Sequence, residues 1–570
     1  MNEIYDVAIV GGGPAGSTAG SLLKKYNPDL RVVILERETF PRDHVGESGL
    51  PPIGHILNEV GVWDKIEAAG FPIKVGATYK WGKTKELWDF EFVTAGAFEE
   101  RPRPARFEGQ RTMTAFQVDR AIYDDILLQH SAELGCEVRQ ATRVVEVRRE
   151  GDRVTGLGLD GGEILEARHY LDASGHSGLL RRTMGVEAEY PTTLQNIAIW
   201  DYWQNADWAI EIGVGGTRVQ VMSLGYGWIW FIPLGPTRTS VGLIVPAAYY
   251  KESGKKPAEL YAEALAQEPR ISALMRNAVP EEKLATTRDW SFLASRTVGE
   301  NWFLVGESAG FADPILAAGM TMAHAAGREA AYTILEMDRR EHKDEWLREQ
   351  FDRKQRGRIL NHIRFADYWY TANSQFEDLK EFTAELARDS GLHLDPDKAW
   401  AWLGQGGFIN EDEETGTSGF SIDQLKVLGN YLTDLQPESI LNLHNVYRLD
   451  LTGATWKERA AYKDGRIERF DSYVRGDRLL PLRGTFGFLV DALQRDSRLP
   501  VLVQRINAAA EPYRSDPTTR AQLIHDILQS LEALVRDGWV IPSHDPSIPL
   551  IDLTFQTSGG LRWNNDPVPA

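Results

Sequence analysis

Residues Val7–Gly16 read VAIVGGGPAG, and their reading decides the fold. The apolar run Tyr5–Val10 reads as a β-strand, and an Ala/Leu-rich helix follows to about Lys25. Between them Gly11, Gly13 and Gly16 keep the spacing G-x-G-x-x-G. Gly11 permits a tight turn, Gly13 lets the backbone approach a pyrophosphate, and Gly16 lets helix and strand pack closely. The helix N-terminus adds free N–H groups and the positive end of its dipole. A second β-branched run, Arg31–Leu35, ends at Glu36, 20 positions beyond Gly16, where a carboxylate can take ribose hydroxyls. Together these form a βαβ dinucleotide-binding unit. The glycine motif alone does not separate NAD from FAD.

Outward from that unit, bulk properties set limits. A chain of 570 residues, 42% hydrophobic and 10% aromatic, has material for two to four domains. The formal net charge is −19 with no long basic run to offset it, which disfavours nucleic acid and anionic membrane as partners. Cys136 is the single cysteine, which excludes an intramolecular disulfide and a cysteine metal cluster and suits a reducing cytoplasm. The start MNEIYDVAIVGGG lacks a basic n-region and an apolar h-region, so no signal peptide is expected. No run reaches the ~18 apolar residues of a membrane helix. No His/Asp/Glu cluster has metal spacing, so no metal is expected.

The texture changes along the chain. Helical periodicity covers Asp119–Leu134, and strands are expected at Val138–Arg148 and His169–Ala173. From Asn196 to Val245, short Val/Ile/Trp runs alternate with Gly and Pro turns, the pattern of an antiparallel sheet. Trp302–Val305 reads as a strand and Met320–Met337 as an Ala-rich helix. The expected domains are a core over 1–372, with an antiparallel substrate-side sheet within about 75–115 and 190–300, and a mostly helical C-terminal domain over 373–570. In the latter, RAQLIHDILQSLEALVRDGWVI reads as an amphipathic helix, a glycine turn and a β run, a small winged-helix-like element.

Two later stretches resemble flavoproteins of the hydroxybenzoate-hydroxylase type. Gly306-Glu307 follows a strand as the G-D dipeptide of that superfamily does, with Glu in place of Asp. Arg120, in FQVDR, resembles its phosphate-contacting arginine. These make FAD the expected cofactor. Four pieces in order then resemble the flavin-dependent halogenases: GGGPAG (Gly11–Gly16), FPRDHVGES (Phe40–Ser48), GWIWFIP (Gly227–Pro233) and GFADPILAAG (Gly310–Gly319). The third carries the family's W-x-W-x-I-P signature without a substitution. The resemblance covers about the first 365 residues and points to the single-component-type branch, with the chloramphenicol and chondrochloren halogenases.

The fold this implies is α/β: a Rossmann-like FAD-binding domain, an antiparallel substrate-side sheet and a mostly helical C-terminal domain. The activity it implies uses reduced FAD, O2 and chloride or bromide to make hypohalous acid, which Lys74 guides to a phenolic, pyrrolic or activated acyl substrate, free or carrier-protein-bound. Trp228 and Trp230 share one strand face and can fill the space over the flavin. Lys74, shortly before A-T-x-x-W-G, resembles the catalytic lysine; it can orient the acid through its ammonium or, as the free amine, form a chloramine. Lys80 is the competing lysine of the same segment. Glu47 borders the flavin and lysine region, where it tunes the lysine or supports the loop. The cofactor contacts implied are Gly11, Gly13, Ala15, Gly16, Glu36, Arg37, Ser48, Arg120, Gly306, Glu307, Pro314, Gly319 and Met320. Halide is expected on the N–H groups of Ala318 and Gly319.

The chain departs from the family in three places. Ala317 replaces a serine, Leu316 replaces the glutamate of tryptophan halogenases, and Leu293 falls near the aspartate that tethers flavin in the chloramphenicol enzyme. Free tryptophan is therefore an unexpected substrate, and FAD is expected to be non-covalent. With no second dinucleotide fingerprint, a separate flavin reductase is expected as partner. A flavin monooxygenase, or an NAD(P)H-dependent flavoprotein reductase without halide chemistry, shares the fold and stays open as the alternative. The basic run KQRGRILNHIRF (Lys354–Phe365) reads as a solvated helix face or as a dock for an acidic carrier protein.

Overall fold

The computed structural model describes residues 4–93, 98–99, 101–209, 216–390, 428–429, 432, 440–476, 478–553 and 561–563. Most of 391–439, which the sequence assigns to the C-terminal domain, lies outside the described residues. The chain divides into two units. The first holds the described residues up to Ser390, with Asp464–Arg466 and the strand Leu561–Trp563; the second holds the rest.

The first unit begins with the glycine-turn strand Tyr5–Val10 at the centre of a five-stranded parallel sheet. On one side lie Val32–Leu35 and Glu137–Arg139, on the other Ala167–Asp172 and Trp302–Leu304. Every residue of Val32–Leu35 is buried, as befits a strand covered on both faces. Gly11 sits at φ +109°, and a Cβ there would come within 2.3 Å of the Ala173 carbonyl, so only glycine fits the turn. The helix Pro14–Tyr26 leaves this turn and packs on the long helix Gly319–Arg339, where a Cβ on Gly327 would meet the Ala15 carbonyl at 2.3 Å.

Beside this domain stands a ten-stranded sheet. Its centre is the tryptophan strand Trp228–Pro233, flanked by Arg238–Pro246 and Gly216–Ser223. Gly216–Ser223 pairs in parallel with the lysine strand Ile73–Lys80, so the sheet is mixed at this one junction among antiparallel pairs. The lysine strand also pairs antiparallel with Trp88–Glu91 and Ala115–Phe116.

The parallel junction contains a β-bulge. Thr217 pairs with Lys74 but Arg218 pairs with Gly76, so Val75 is an extra residue. Side chains alternate along a strand, and regular pairing would put Lys74 on the face of Thr78 and Lys80. The bulge moves it to the face of Thr217, Val219 and Val221. Val221 pairs with Trp230, so this face also carries the two tryptophans. Gly76 is what allows the bend: a Cβ there would lie 2.0 Å from the Phe90 carbonyl oxygen.

In the second unit, Val446–Leu449 pairs antiparallel with Val540–Ser543, and Thr455–Lys463, Arg466–Arg475 and Arg478–Pro481 form a three-stranded sheet. Helices Gly484–Arg495, Leu499–Ala510 and Pro517–Arg536 complete its described part. The amphipathic helix expected near the C-terminus is Pro517–Arg536, capped by Asp516, and Gly538 turns the chain into the following strand. No helix among the described residues is long and apolar enough to cross a membrane.

The bulge gives a direct test. Gly76→Ala should cost about 1–3 kcal/mol through overpacking against backbone. Gly357→Ala, in a helix and with open space around it, should gain about 0.5–1 kcal/mol. Thermal-unfolding temperatures of the two variants should move in opposite directions.

Candidate active site

Three chain segments meet beside the lysine strand's start. Ser48 bridges to Gln117, Val118 N–H donates to the Glu47 carbonyl at 2.8 Å, and Gly49 N–H donates to the Phe116 carbonyl at 2.9 Å. The lysine strand joins them through the Lys74–Ala115 pair. Sequence positions 47, 74 and 117 thus become neighbours.

Lys74 is 2% exposed, and its ammonium donates to the Gly49 carbonyl at 3.0 Å. The Phe92 ring lies 5.5 Å away. Burial pulls the amine down to about 7. Lys80 behaves differently: it forms an ion pair with Glu268 at 2.7 Å. Glu47 is buried, and burial raises its carboxyl above the usual range, although it accepts hydrogen bonds from Gly46 N–H at 2.9 Å and Tyr202 O–H at 3.1 Å.

Trp228 and Trp230 are buried with ring centroids 6.2 Å apart. The Trp230 indole fills the space over Gly242, where a Cβ would lie 2.1 Å from its ring, and its N–H donates to Ser240 at 3.1 Å. Trp228 donates to the Tyr370 hydroxyl at 2.8 Å.

The residues expected to hold FAD fit that group. Glu36 closes the first βαβ unit, one carboxylate oxygen accepting from Gly12 N–H at 2.8 Å and the other from Glu38 N–H at 2.9 Å. Gly13 is open, its nearest neighbour the Arg42 guanidinium, 3.8 Å from where a Cβ would stand. Ser48 Oγ and both amide atoms of Gln117 are buried without a hydrogen-bond partner, as is Thr321 Oγ1 near the start of the long helix. Orphaned buried donors and acceptors beside a glycine cradle are what a polar cofactor would satisfy. Ala15 packs under Gly306, whose Cβ position is 3.5 Å from the Ala15 methyl. Gly306 and Glu307 lie in a 3-10 turn, with Glu307 3.3 Å from His176. Arg37 is exposed and pairs with Glu38. Leu293 is buried in a short strand.

Arg120 is buried and already committed. It grips Asp124 with two bonds of 2.7 and 2.8 Å and the carbonyls of Val45 and Gly46 at 3.2 and 3.1 Å. It therefore clamps the loop that carries Glu47. The cation facing Gly13 is Arg42, which sequence reasoning did not single out; its partner Asp124, 3.1 Å away, is remote in sequence.

The expected halide turn has a different start. Asp313-Pro314 would lead into a helix with Ala317, Ala318 and Gly319 in its first turns; instead Pro314–Leu316 is a 3-10 turn, Ala317 takes a left-handed conformation, φ +53°, and the helix begins at Gly319. Ala318 is its N-cap, and Met320 is buried in the first turn. His324 is a packed residue, bonded to Thr18 and Tyr123 at 2.8 Å each and pushed down to about 3 by burial. The basic run is split: Lys354 and Arg358 pair with the buried Glu329, while Arg356 pairs with Glu189 at the surface. No group of three His, Cys, Asp or Glu among the described residues could hold a metal.

Comparison with known proteins agrees with this geometry. A family model described as tryptophan halogenase matches residues 6–103 and 93–381. A tryptophan 2-halogenase of Chondromyces crocatus is 29% identical over 393 residues, 67% of this chain and 71% of that protein. A 1H-pyrrole-2-carbonyl peptidyl-carrier-protein chlorinase of Pseudomonas fluorescens is 30% identical over 387 residues, 65% of this chain and 85% of that protein. Among solved structures, the flavin-dependent halogenase CmlS superposes with a TM-score of 0.72 at 26% identity, covering 98% of this chain and 99% of its own. The myxobacterial chondrochloren halogenase CndH gives 0.59 at 27% identity, covering 76% and 96%.

Arg42→Ala should weaken FAD binding about tenfold or more, the loss of one charge-assisted contact. Flavin-fluorescence titration of the stripped protein checks this, and unchanged affinity would remove Arg42 from the cradle.

Proposed function

The chain belongs to the tryptophan halogenase family and is an FAD-dependent halogenating enzyme, and on that premise we propose that Lys74 is the residue that receives and delivers the halogen. Bound FAD supplies, with O2, the oxidising equivalent that turns chloride or bromide into an electrophile. Gly11, Gly13, Gly16, Glu36 and Arg42 would hold its dinucleotide part, and Ser48, Gln117, Glu307 and the Pro314–Met320 segment the remainder. Halide would rest on the N–H groups of Ala318 and Gly319, at the positive end of the helix Gly319–Arg339.

The reading is carried by the burial of Lys74 with its nitrogen on the Gly49 carbonyl. Burial pulls its amine down to about 7, and only the neutral form has a lone pair to accept halogen. The ammonium form can instead donate a hydrogen bond to hypohalous acid. The Gly49 carbonyl fixes the nitrogen, and the bulge at Val75 aims it to the tryptophan face. Trp228 and Trp230 fill that face and exclude organic substrate from the place where oxidant forms. Glu47, whose carboxyl burial raises above the usual range, lies in the segment that binds Lys74.

The substrate in this reading is an electron-rich ring, phenolic or pyrrolic, or an activated acyl group. Similarity to the pyrrolyl carrier-protein chlorinase favours a substrate presented on a carrier protein. A separate flavin reductase would deliver reduced FAD.

Lys74→Ala should keep FAD binding and lose product halogenation by about 100-fold or more, measured by mass spectrometry of product. Retained halogenation would remove Lys74 from its role. If the neutral amine is the acceptor, wild-type halogenation should rise about tenfold between pH 6 and pH 8 and then level, because protonation of a group at about 7 blocks it at the lower pH. A fall over that range would assign the work to the ammonium form.

A further inference from the structure

Asp313 stands at the head of the turn that leads to Ala318 and Gly319, and it is 3% exposed. One carboxyl oxygen accepts from Ile315 N–H at 2.9 Å and from Tyr370 O–H at 3.1 Å; the other accepts from the Asn196 amide at 3.1 Å. The same Tyr370 hydroxyl accepts the Trp228 indole N–H. A chain of hydrogen bonds therefore runs from the tryptophan strand through Tyr370 and Asp313 into the turn. We propose that Asp313 is a positioning residue for halide: its carboxyl, five residues before Ala318, decides by its charge how tightly the Ala318–Gly319 amides take the anion.

The proposal rests on the reading of those amides as the halide site. Around Asp313, the helix Asp344–Thr371 contributes Tyr370 and the buried Asp367, which takes a hydrogen bond from Thr192. The strand Gln195–Gln204 contributes Asn196, and the tryptophan strand contributes Trp228, both uncharged. No cation is among the partners of Asp313 in the described residues. Asn196 Oδ1 is buried without a partner, so a rotated amide offers an acceptor to a protonated Asp313. Burial pushes Asp313 up to about 7 against the pull of its three hydrogen-bond donors, and burial, with Asp313 as a like charge, pushes Asp367 up to about 8. The neutral carboxyl tolerates a neighbouring halide, whereas the carboxylate repels it in a low-dielectric interior. Affinity is therefore full below pH 7 and falls as pH rises through that value.

The test is bromide titration of the FAD-loaded protein at pH 6, 7 and 8, read by the change in flavin absorbance. The wild-type bromide Kd should rise about fivefold or more from pH 6 to pH 8, as linkage to one deprotonation requires. Asp313→Asn should keep the pH 6 affinity and change less than about twofold over the range, which also separates Asp313 from Lys74, a group that titrates in the same window. Should Asp313→Asn fail to fold, Tyr370→Phe takes its place: loss of a donor to the carboxylate should move the wild-type midpoint to higher pH. A flat wild-type curve, a slope that survives in Asp313→Asn, or an unmoved midpoint in Tyr370→Phe overturns the inference. Absence of saturable bromide binding at every pH overturns the halide site itself, and the inference with it.

Discussion

An amine taken out of water beside the Gly49 carbonyl is the constraint on which the proposed active site depends. An isolated ammonium is costly in a protein interior, and the usual remedies are a carboxylate or a lost proton. Lys74 has the Gly49 carbonyl and the face of Phe92 instead. The fold therefore favours the neutral amine, the form that the proposed halogen transfer requires. Lys80, six residues along the same strand, shows the contrast: paired with Glu268, it keeps a counter-charge and has no such chemistry.

Holding that amine in place takes three unrelated stretches of chain. The Glu47–Gly49 segment is zipped to Phe116–Val118, and Arg120 clamps the preceding loop through Asp124 and two carbonyls. The bulge at Val75 selects the face, and the close approach of Gly76 to the Phe90 carbonyl permits the bulge. The tryptophans are fixed in their turn, Trp230 by Ser240 and the gap above Gly242, Trp228 by Tyr370. Tyr370 belongs to the long helix Asp344–Thr371, so that helix supports the site although no catalytic motif lies on it.

The legible parts of this site were the ones written in local spacing. VAIVGGGPAG specified its strand, turn and helix because the pattern is local, although only Gly16, held against the Gly11 carbonyl, meets its steric demand inside the motif and Gly11 meets the distant Ala173 carbonyl. GWIWFIP specified a buried strand with two indoles on one face for the same reason. What escaped was long-range. Period-two alternation of IKVGATYK places Lys74 with Thr78 and Lys80, and only the pairing with Thr217 and Arg218 reveals the slip. Arg42 faces Gly13 while paired with Asp124, and Asp313 joins Trp228 through Tyr370, contacts with no trace in spacing. KQRGRILNHIRF looked like a surface stripe because its counter-charge, Glu329, sits on another helix. Family membership also removed the alternative of a flavoprotein indifferent to halide, which the shared glycine motifs had left open.

The central claim concerns the charge of one nitrogen, and NMR can follow it without reference to turnover. Lysine labelled at the side-chain nitrogen, assigned by comparison with Lys74→Ala, would be titrated in the FAD-loaded protein. A midpoint for Lys74 at about 7 is the predicted result. A midpoint near the ordinary 10.5 would mean that the ammonium is solvated or paired after all, and would contradict the account.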